Sequence, residues 1–230
     1  MNKRGKLIVI DGIDGSGKST QINLLIRHLR KEGRRVKLID FPEYYSNFFG
    51  KFIGHCLSEQ YYNFVKVHPK IASVIYAADR FESKNKIEKW LKEGNIVIAN
   101  RYASANQIHQ GGKISNPKKR EAFISWLADM EYGVFKIPKP DVVFYLNLPM
   151  TVVFRLIKER NKKSVRNYLG SKKDLVEKDK NYMENSHKSA LWLSKTQKNW
   201  IKIECMQGGE LNTIENIHQE IYEKVKKIIK

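Results

Sequence analysis

The run Leu7-Ile8-Val9-Ile10-Asp11-Gly12-Ile13-Asp14-Gly15-Ser16-Gly17-Lys18-Ser19-Thr20 decides how the rest of the chain is read. Four apolar residues ending at Asp11-Gly12 suit a strand covered on both faces, as in a parallel sheet. From Gly12 the sequence fits G-x-x-x-x-G-K-[ST] at every defined position. Ile22, Leu24, Leu25, Ile26 and Leu29 then recur at helical spacing up to Gly33, a C-cap residue. A glycine-rich turn between a buried strand and a helix start turns backbone N–H groups and the positive helix end toward an anion. The expectation is an ATP-phosphate loop over Gly12, Ile13, Asp14, Gly15, Ser16, Gly17, Lys18, Ser19 and Thr20. In such a loop Lys18 reaches the β and γ phosphates and the Ser19 hydroxyl ligates Mg²⁺.

Outward from this unit the strand signal recurs at Val36 to Ile39, Ile96 to Ala99 and Val142 to Leu148, and more weakly at Ile201 to Cys205. Helical stretches at Ala72 to Lys92, Lys118 to Tyr132, Met150 to Arg160 and Asp174 to Lys195, and a last one carrying Ile214, Ile217, Ile221, Val225 and Ile228, separate or follow them. Alternation of this kind implies right-handed crossovers. The expected fold is α/β: a three-layer, doubly wound, parallel five-stranded sheet of P-loop NTPase type with a basic lid. No linker or repeat interrupts residues 1–230, so a single domain is expected, with the lid at about 160–173, a basic stretch lacking apolar periodicity.

With 230 residues, 41% hydrophobic and 29% charged, the chain is neither fibrous nor disordered. Lys and Arg outnumber Asp and Glu by 43 to 24, and a net charge of +19 draws phosphates, nucleic acid or anionic membrane without choosing among them. Most of this charge is read as solvated lysine, leaving nucleic acid as a nonspecific partner only. The apolar run after the basic N-terminus is too short for a signal peptide, and nothing approaches the roughly 20 apolar residues of a membrane span. Cys56 and Cys205 stand apart with no metal-ligand spacing, so the chain is expected in a reducing compartment, the cytoplasm.

A phosphate loop alone does not name a reaction. The guanine-reading Asn-Lys-x-Asp of regulatory GTPases is absent, and so is the apolar run into Asp-Glu of motor ATPases. Asp14 lies among phosphate ligands, where a carboxylate is electrostatically awkward unless it binds something else; a sugar hydroxyl and the loop's own backbone are the two partners open to it. Tyr76 and Arg80 are four apart and project from one helix face. Such a pair can stack a base and donate to its carbonyl edge, though Tyr at this spacing is also a core residue and Arg a solvated one. Arg101 follows the third strand, at the sheet edge where open α/β folds bind ligands, and its fork suits two phosphates or an ion pair.

With these pieces in order, the chain resembles the thymidylate kinases. The resemblance rests on Asp11 to Gln21, on Phe41-Pro42-Glu43, on Tyr76-Ala77-Ala78-Asp79-Arg80, on Asn100-Arg101-Tyr102 and on Pro138-Lys139-Pro140-Asp141. It implies transfer of the γ-phosphoryl of MgATP to the 5′-phosphate of dTMP, giving dTDP and ADP for dTTP synthesis, on a homodimer. The apolar residues of the helices after Pro69 and Asn116 are its candidate interface. It further implies a substrate site of Asp14 (deoxyribose 3′-OH), Phe41, Pro42, Tyr76 (base stacking), Arg80 (thymine O4), Arg101, Tyr102, Asn106 and Gln110. Lys18, Arg101, Arg160 and Arg166 are the expected catalytic cations, with Arg160 first among the lid residues.

Three positions depart from the family pattern. Asn100 stands where an Asp is usual, so the metal is expected to bind less well or to recruit Asp11 or Glu43 instead. Glu43, Tyr44 and Tyr45 stand where an Arg usually follows Phe-Pro, and Gly15 where some members carry Arg. Two other readings follow: a deoxynucleoside kinase with Glu43 as base toward a neutral 5′-hydroxyl, or a binding protein with weakened catalysis. An acceptor phosphate is its own nucleophile and needs no strong base. Of the six histidines, His109 alone falls near the acceptor region.

Overall fold

The computed structural model describes residues 4–58, 60–163 and 175–230. Its centre is a parallel sheet in the order β2-β3-β1-β4-β5, formed by β1 (Leu7–Asp11), β2 (Val36–Asp40), β3 (Ile96–Asn100), β4 (Val142–Asn147) and β5 (Trp200–Glu204). Position in the sheet explains the patterns read above. The three central strands have almost every residue buried, so they are continuous apolar runs, whereas β2 and β5, at the edges, mix buried and exposed positions.

Helix α1 (Lys18–Lys31) carries the chain from β1 to the far edge strand β2. The connection to β3 runs through α2 (Phe48–Leu57), α3 (Pro69–Glu82) and α4 (Lys84–Lys92). After β3 come a single turn, α5 (Ala103–Ala105), a π turn at Asn106–Gln110, a 3-10 turn at Gly111–Lys113, α6 (Pro117–Ala128) and a second π turn at Asp129–Val134. Beyond β4 lie α7 (Met150–Lys163), α8 (Leu175–Lys178), α9 (Lys180–Thr196) and α10 (Ile214–Ile228). A hairpin of β6 (Met206–Gln207) and β7 (Glu210–Leu211) turns at Gly208 and Gly209, both at positive φ, and sequence reading did not anticipate it.

The expected helix from Ala72 to Lys92 divides at Ser83, and that from Asp174 to Lys195 divides at Asp179, whose carboxylate caps α9 by accepting from Tyr182 N. α2 was not expected at all. Asn47 caps it, and Gly50 leaves room for the carbonyl of Glu43, which would sit 2.1 Å from a Cβ there. The loop after Phe41-Pro42 is thereby held against α2 and α3, where Glu43 N donates to the Asp79 carboxylate at 3.3 Å. Both cysteines are buried and free.

Candidate active site

The carboxyl ends of β1, β2 and β3 open on two adjoining cavities. The first, about 400 Å³, lies over the N-terminus of α1. Gly17 caps that helix in the left-handed region at φ 86, with no side chain bonded to the first turn, so its N–H groups face the cavity. Asp14, Gly15, Gly17, Lys18, Ser19 and Thr20 line it, together with Asp40, Asn100, Arg101 and Arg160. Gly12, Ile13 and Ser16 are buried beneath this surface. The carbonyls of Gly12 and Ile13 accept from Lys18 Nζ at 2.9 and 3.1 Å. Gly15 has φ 83, and a Cβ there would lie 2.7 Å from Ile157 Cγ1 of α7. This close packing explains why no cation stands inside the loop.

Arg101 sits at the wall between the cavities, and it lines both, as do Asp14, Phe41, Pro42 and Tyr44. Its backbone is left-handed at φ 65, which directs the guanidinium out of the sheet end. Nη2 donates to Asp14 Oδ1 at 2.8 Å, and Nη1 lies 2.7 Å from His109 Nε2 and 3.4 Å from Asp11 Oδ1. Burial opposes the charge, but Asp14 and Asp11 outweigh it and hold the guanidinium pKa above its ordinary value.

The same turn sends the neighbouring side chain elsewhere. Tyr102, expected among the substrate ligands, is fully buried and packs its ring against Phe41 at 5.6 Å, away from both cavity walls. Its ring supports Phe41 from the core.

The second cavity adjoins the first at the Arg101 wall. Tyr76, Arg80, Asn106, His109 and Gln110 line it, with Leu57 from α2 and Tyr182 from α9. Tyr76 and Arg80 lie on α3, as their spacing requires. Arg80 is held by a carboxylate that sequence reading missed. Glu131, in the second π turn, accepts from Arg80 Nε at 2.6 Å and Nη2 at 2.7 Å, with the two side chains 2% and 1% exposed. Asn106 gives its amide hydrogens to Ser73 O at 3.1 Å and Glu131 Oε1 at 2.9 Å, leaving its carbonyl oxygen for a ligand. Gln110 Oε1 is buried without a hydrogen-bond partner.

The carboxylates expected to replace the usual Asp at position 100 are both engaged. Asp11 is fully buried, accepting from Ser104 Oγ at 2.6 Å and Gly12 N at 2.8 Å. Glu43 pairs with Lys86 at 2.7 Å and accepts from Ser46 Oγ, outside both cavities. Besides Asp14, which Arg101 engages, the wall of the first cavity carries Asp40, in register with Asn100 and hydrogen-bonded by its side chain. Ser19 Oγ, Asp40 and the phosphates of a nucleotide make an oxygen donor set that suits Mg²⁺, which prefers few protein ligands and retained waters. Asn100 Oδ1, buried without a partner, is a further acceptor for such a water.

Arg160 reaches the first cavity from α7, where Nη2 contacts both oxygens of Glu177 at 2.7 Å. Arg166 and residues 164–173 of the expected lid lie outside the described residues. Among the described residues no helix is long and apolar enough to cross a membrane.

A family model described as Thymidylate kinase matches residues 10–221. The chain is 29% identical over 232 residues to the thymidylate kinase of Plasmodium falciparum (isolate 3D7), covering 98% of this chain and 92% of that one. It is 31% identical over 222 residues to a probable thymidylate kinase of Thermococcus gammatolerans, covering 94% of each. A solved thymidylate kinase structure from Candida albicans superposes with a TM-score of 0.74 at 23% identity, over 99% of this chain and 94% of the other, a likeness of fold.

Proposed function

The chain belongs to the thymidylate kinase family and phosphorylates dTMP to dTDP with ATP as donor, and from that premise we propose how its residues divide the work. ATP places its phosphates on the loop from Gly12 to Thr20, where Lys18 exchanges its carbonyl partners for phosphate oxygens. Ser19, with Asp40 acting through water, would hold Mg²⁺. Bound there, the ion neutralises charge on the β and γ phosphates. dTMP occupies the second cavity with its base against the ring of Tyr76.

The hydrogen-bonding groups left available match the thymine edge. With Nε and Nη2 of Arg80 committed to Glu131, Nη1 is the donor for O4, and the Asn106 oxygen is the acceptor for N3–H. Cytosine presents the reverse pattern, an amine donor beside a ring acceptor, and would leave both protein groups unsatisfied. Asp14 takes the sugar 3′-hydroxyl. Arg101 holds the acceptor phosphate against the transferring phosphoryl, and Arg160 exchanges Glu177 for that phosphoryl group. Tyr44, which borders both cavities, stands where an arginine would otherwise meet the acceptor phosphate.

The observation that carries this reading is the placement of Arg101 on the shared wall, held by Asp14 of the phosphate loop. Arg101→Ala is expected to lower kcat by about 10²–10³-fold, the scale of losing a preorganised transition-state contact, with nucleotide binding by calorimetry largely kept. Turnover within about threefold of wild type would overturn it.

We further read the chain as a single domain in the cytoplasm, supported by its two free buried cysteines. A homodimer is supported by Ile71, Val74 and Phe81, which are exposed along one face of α3 beside exposed Val134. Sedimentation equilibrium tests the dimer. The nucleoside-kinase alternative has little to support it, since Glu43 is paired with Lys86 away from the acceptor.

A further inference from the structure

We propose that His109 is a positioning residue for Arg101, a neutral imidazole whose Nε2 accepts from the guanidinium while its Nδ1–H donates to Ser186. The inference rests on the assignment of Arg101 to the reacting phosphates. A guanidinium only donates, so the 2.7 Å contact from Arg101 Nη1 requires a lone pair on His109 Nε2. The proton must then sit on Nδ1, and Ser186 Oγ lies 3.3 Å from it. Ser186 Oγ in turn donates to Tyr182 O at 2.8 Å, so its lone pairs face the imidazole. The tautomer is thus dictated from both sides. The ring is clamped between its own π turn and α9, whose Tyr182 stacks on it at 6.0 Å with the planes 9° apart.

Arg101 requires such a partner. It is a long side chain on a left-handed backbone, a conformation that is unfavourable for a non-glycine residue. Asp14 and Asp11 attract it from the side of the phosphate loop. A third carboxylate would cancel the charge that phosphates need, whereas a neutral acceptor fixes the guanidinium plane and leaves the cation intact. Burial and the nearby Arg101, Lys18 and Lys113 cations, opposed by Asp14, hold the His109 pKa down to about 3, so the imidazole accepts throughout the working pH range.

The test has two arms on the full chain. Nitrogen-15 NMR of the ligand-free protein at pH 7 should show His109, assigned by its loss in His109→Gln, protonated at Nδ1 and bare at Nε2, unchanged to pH 5. In steady-state kinetics His109→Leu should lower kcat about 10²-fold, the scale of a misplaced reacting group, with the KM for ATP changed little. His109→Gln, whose amide oxygen can accept from Arg101, should recover at least about tenfold of that loss, which a merely space-filling role would not produce. Protonation at Nε2, or a Leu variant within about threefold of wild-type kcat, would overturn the proposal. Arg101→Ala measured alongside separates the two assignments. If it retains turnover, the role of Arg101 itself is wrong; if it loses turnover while His109→Leu does not, only the positioning role fails.

Discussion

Replacing Glu131 by Gln isolates the contact on which the acceptor cavity depends. The carboxylate accepts three hydrogen bonds, from Arg80 Nε at 2.6 Å, Arg80 Nη2 at 2.7 Å and Asn106 Nδ2 at 2.9 Å. An amide of the same shape must turn its NH₂ toward one or two of these donors, so at least one contact becomes repulsive and the buried guanidinium loses its counter-charge. Removing one partner of a buried pair costs about 3–5 kcal/mol, and the preserved volume and remaining acceptor put this variant near the lower figure. For a chain of this size each kcal/mol shifts Tm by roughly 2–4 °C, so differential scanning calorimetry should record a fall of about 6–12 °C. The same variant releases Arg80 and Asn106 together. The KM for dTMP should then rise by at least about tenfold, equivalent to 1.4 kcal/mol, while the KM for ATP, bound in the other cavity, stays close to wild type. A Tm within about 2 °C of wild type together with an unchanged KM for dTMP would refute the reasoning.

Asp79, buried behind the Glu43 loop, has a pKa raised to about 6, chiefly by desolvation. The folded state therefore binds the extra proton between pH 4 and 6, stability falls as pH rises through that window, and Asp79→Asn should gain up to about 2–3 kcal/mol above it and nothing at pH 4. Parallel urea titrations across pH check this; a constant difference with pH would refute it. Asp40→Asn should raise the Mg²⁺ concentration needed for tight nucleotide binding by calorimetry and for half-maximal turnover. Asn100→Asp should lower it and raise turnover at limiting Mg²⁺, and an unchanged Mg²⁺ dependence in both variants would remove position 40 from the metal site.

Much of the architecture was legible because its signals are local. β1, β3 and β4 are covered on both faces, so burial wrote continuous apolar runs, and the loop from Gly12 to Ser19 repeats a spacing fixed by phosphate geometry. Tyr76 and Arg80 lie on one helix, where four-residue spacing alone places them on one face. What stayed hidden depends on contacts distant in sequence. Glu131 lies 51 residues from Arg80, and nothing beside it distinguishes a buried carboxylate from a solvated one. Asp40 matters only because the sheet registers it against Asn100. The burial of Tyr102 was hidden because a left-handed residue at 101 is not readable from an arginine, and α2 because two positions of its buried face are glycines, Gly50 and Gly54, which read as helix breakers.

The central claim is tested most directly by measuring ADP and nucleotide product with MgATP and dTMP, dUMP, the other nucleoside monophosphates or thymidine as separate acceptors. dTMP should be converted to dTDP. It should be preferred over dUMP by no more than a single methyl allows, about 10–200-fold, while cytosine nucleotides and thymidine stay essentially unreacted. Phosphorylation of thymidine without dTMP turnover, or ATP binding with no turnover on any acceptor, would contradict the account.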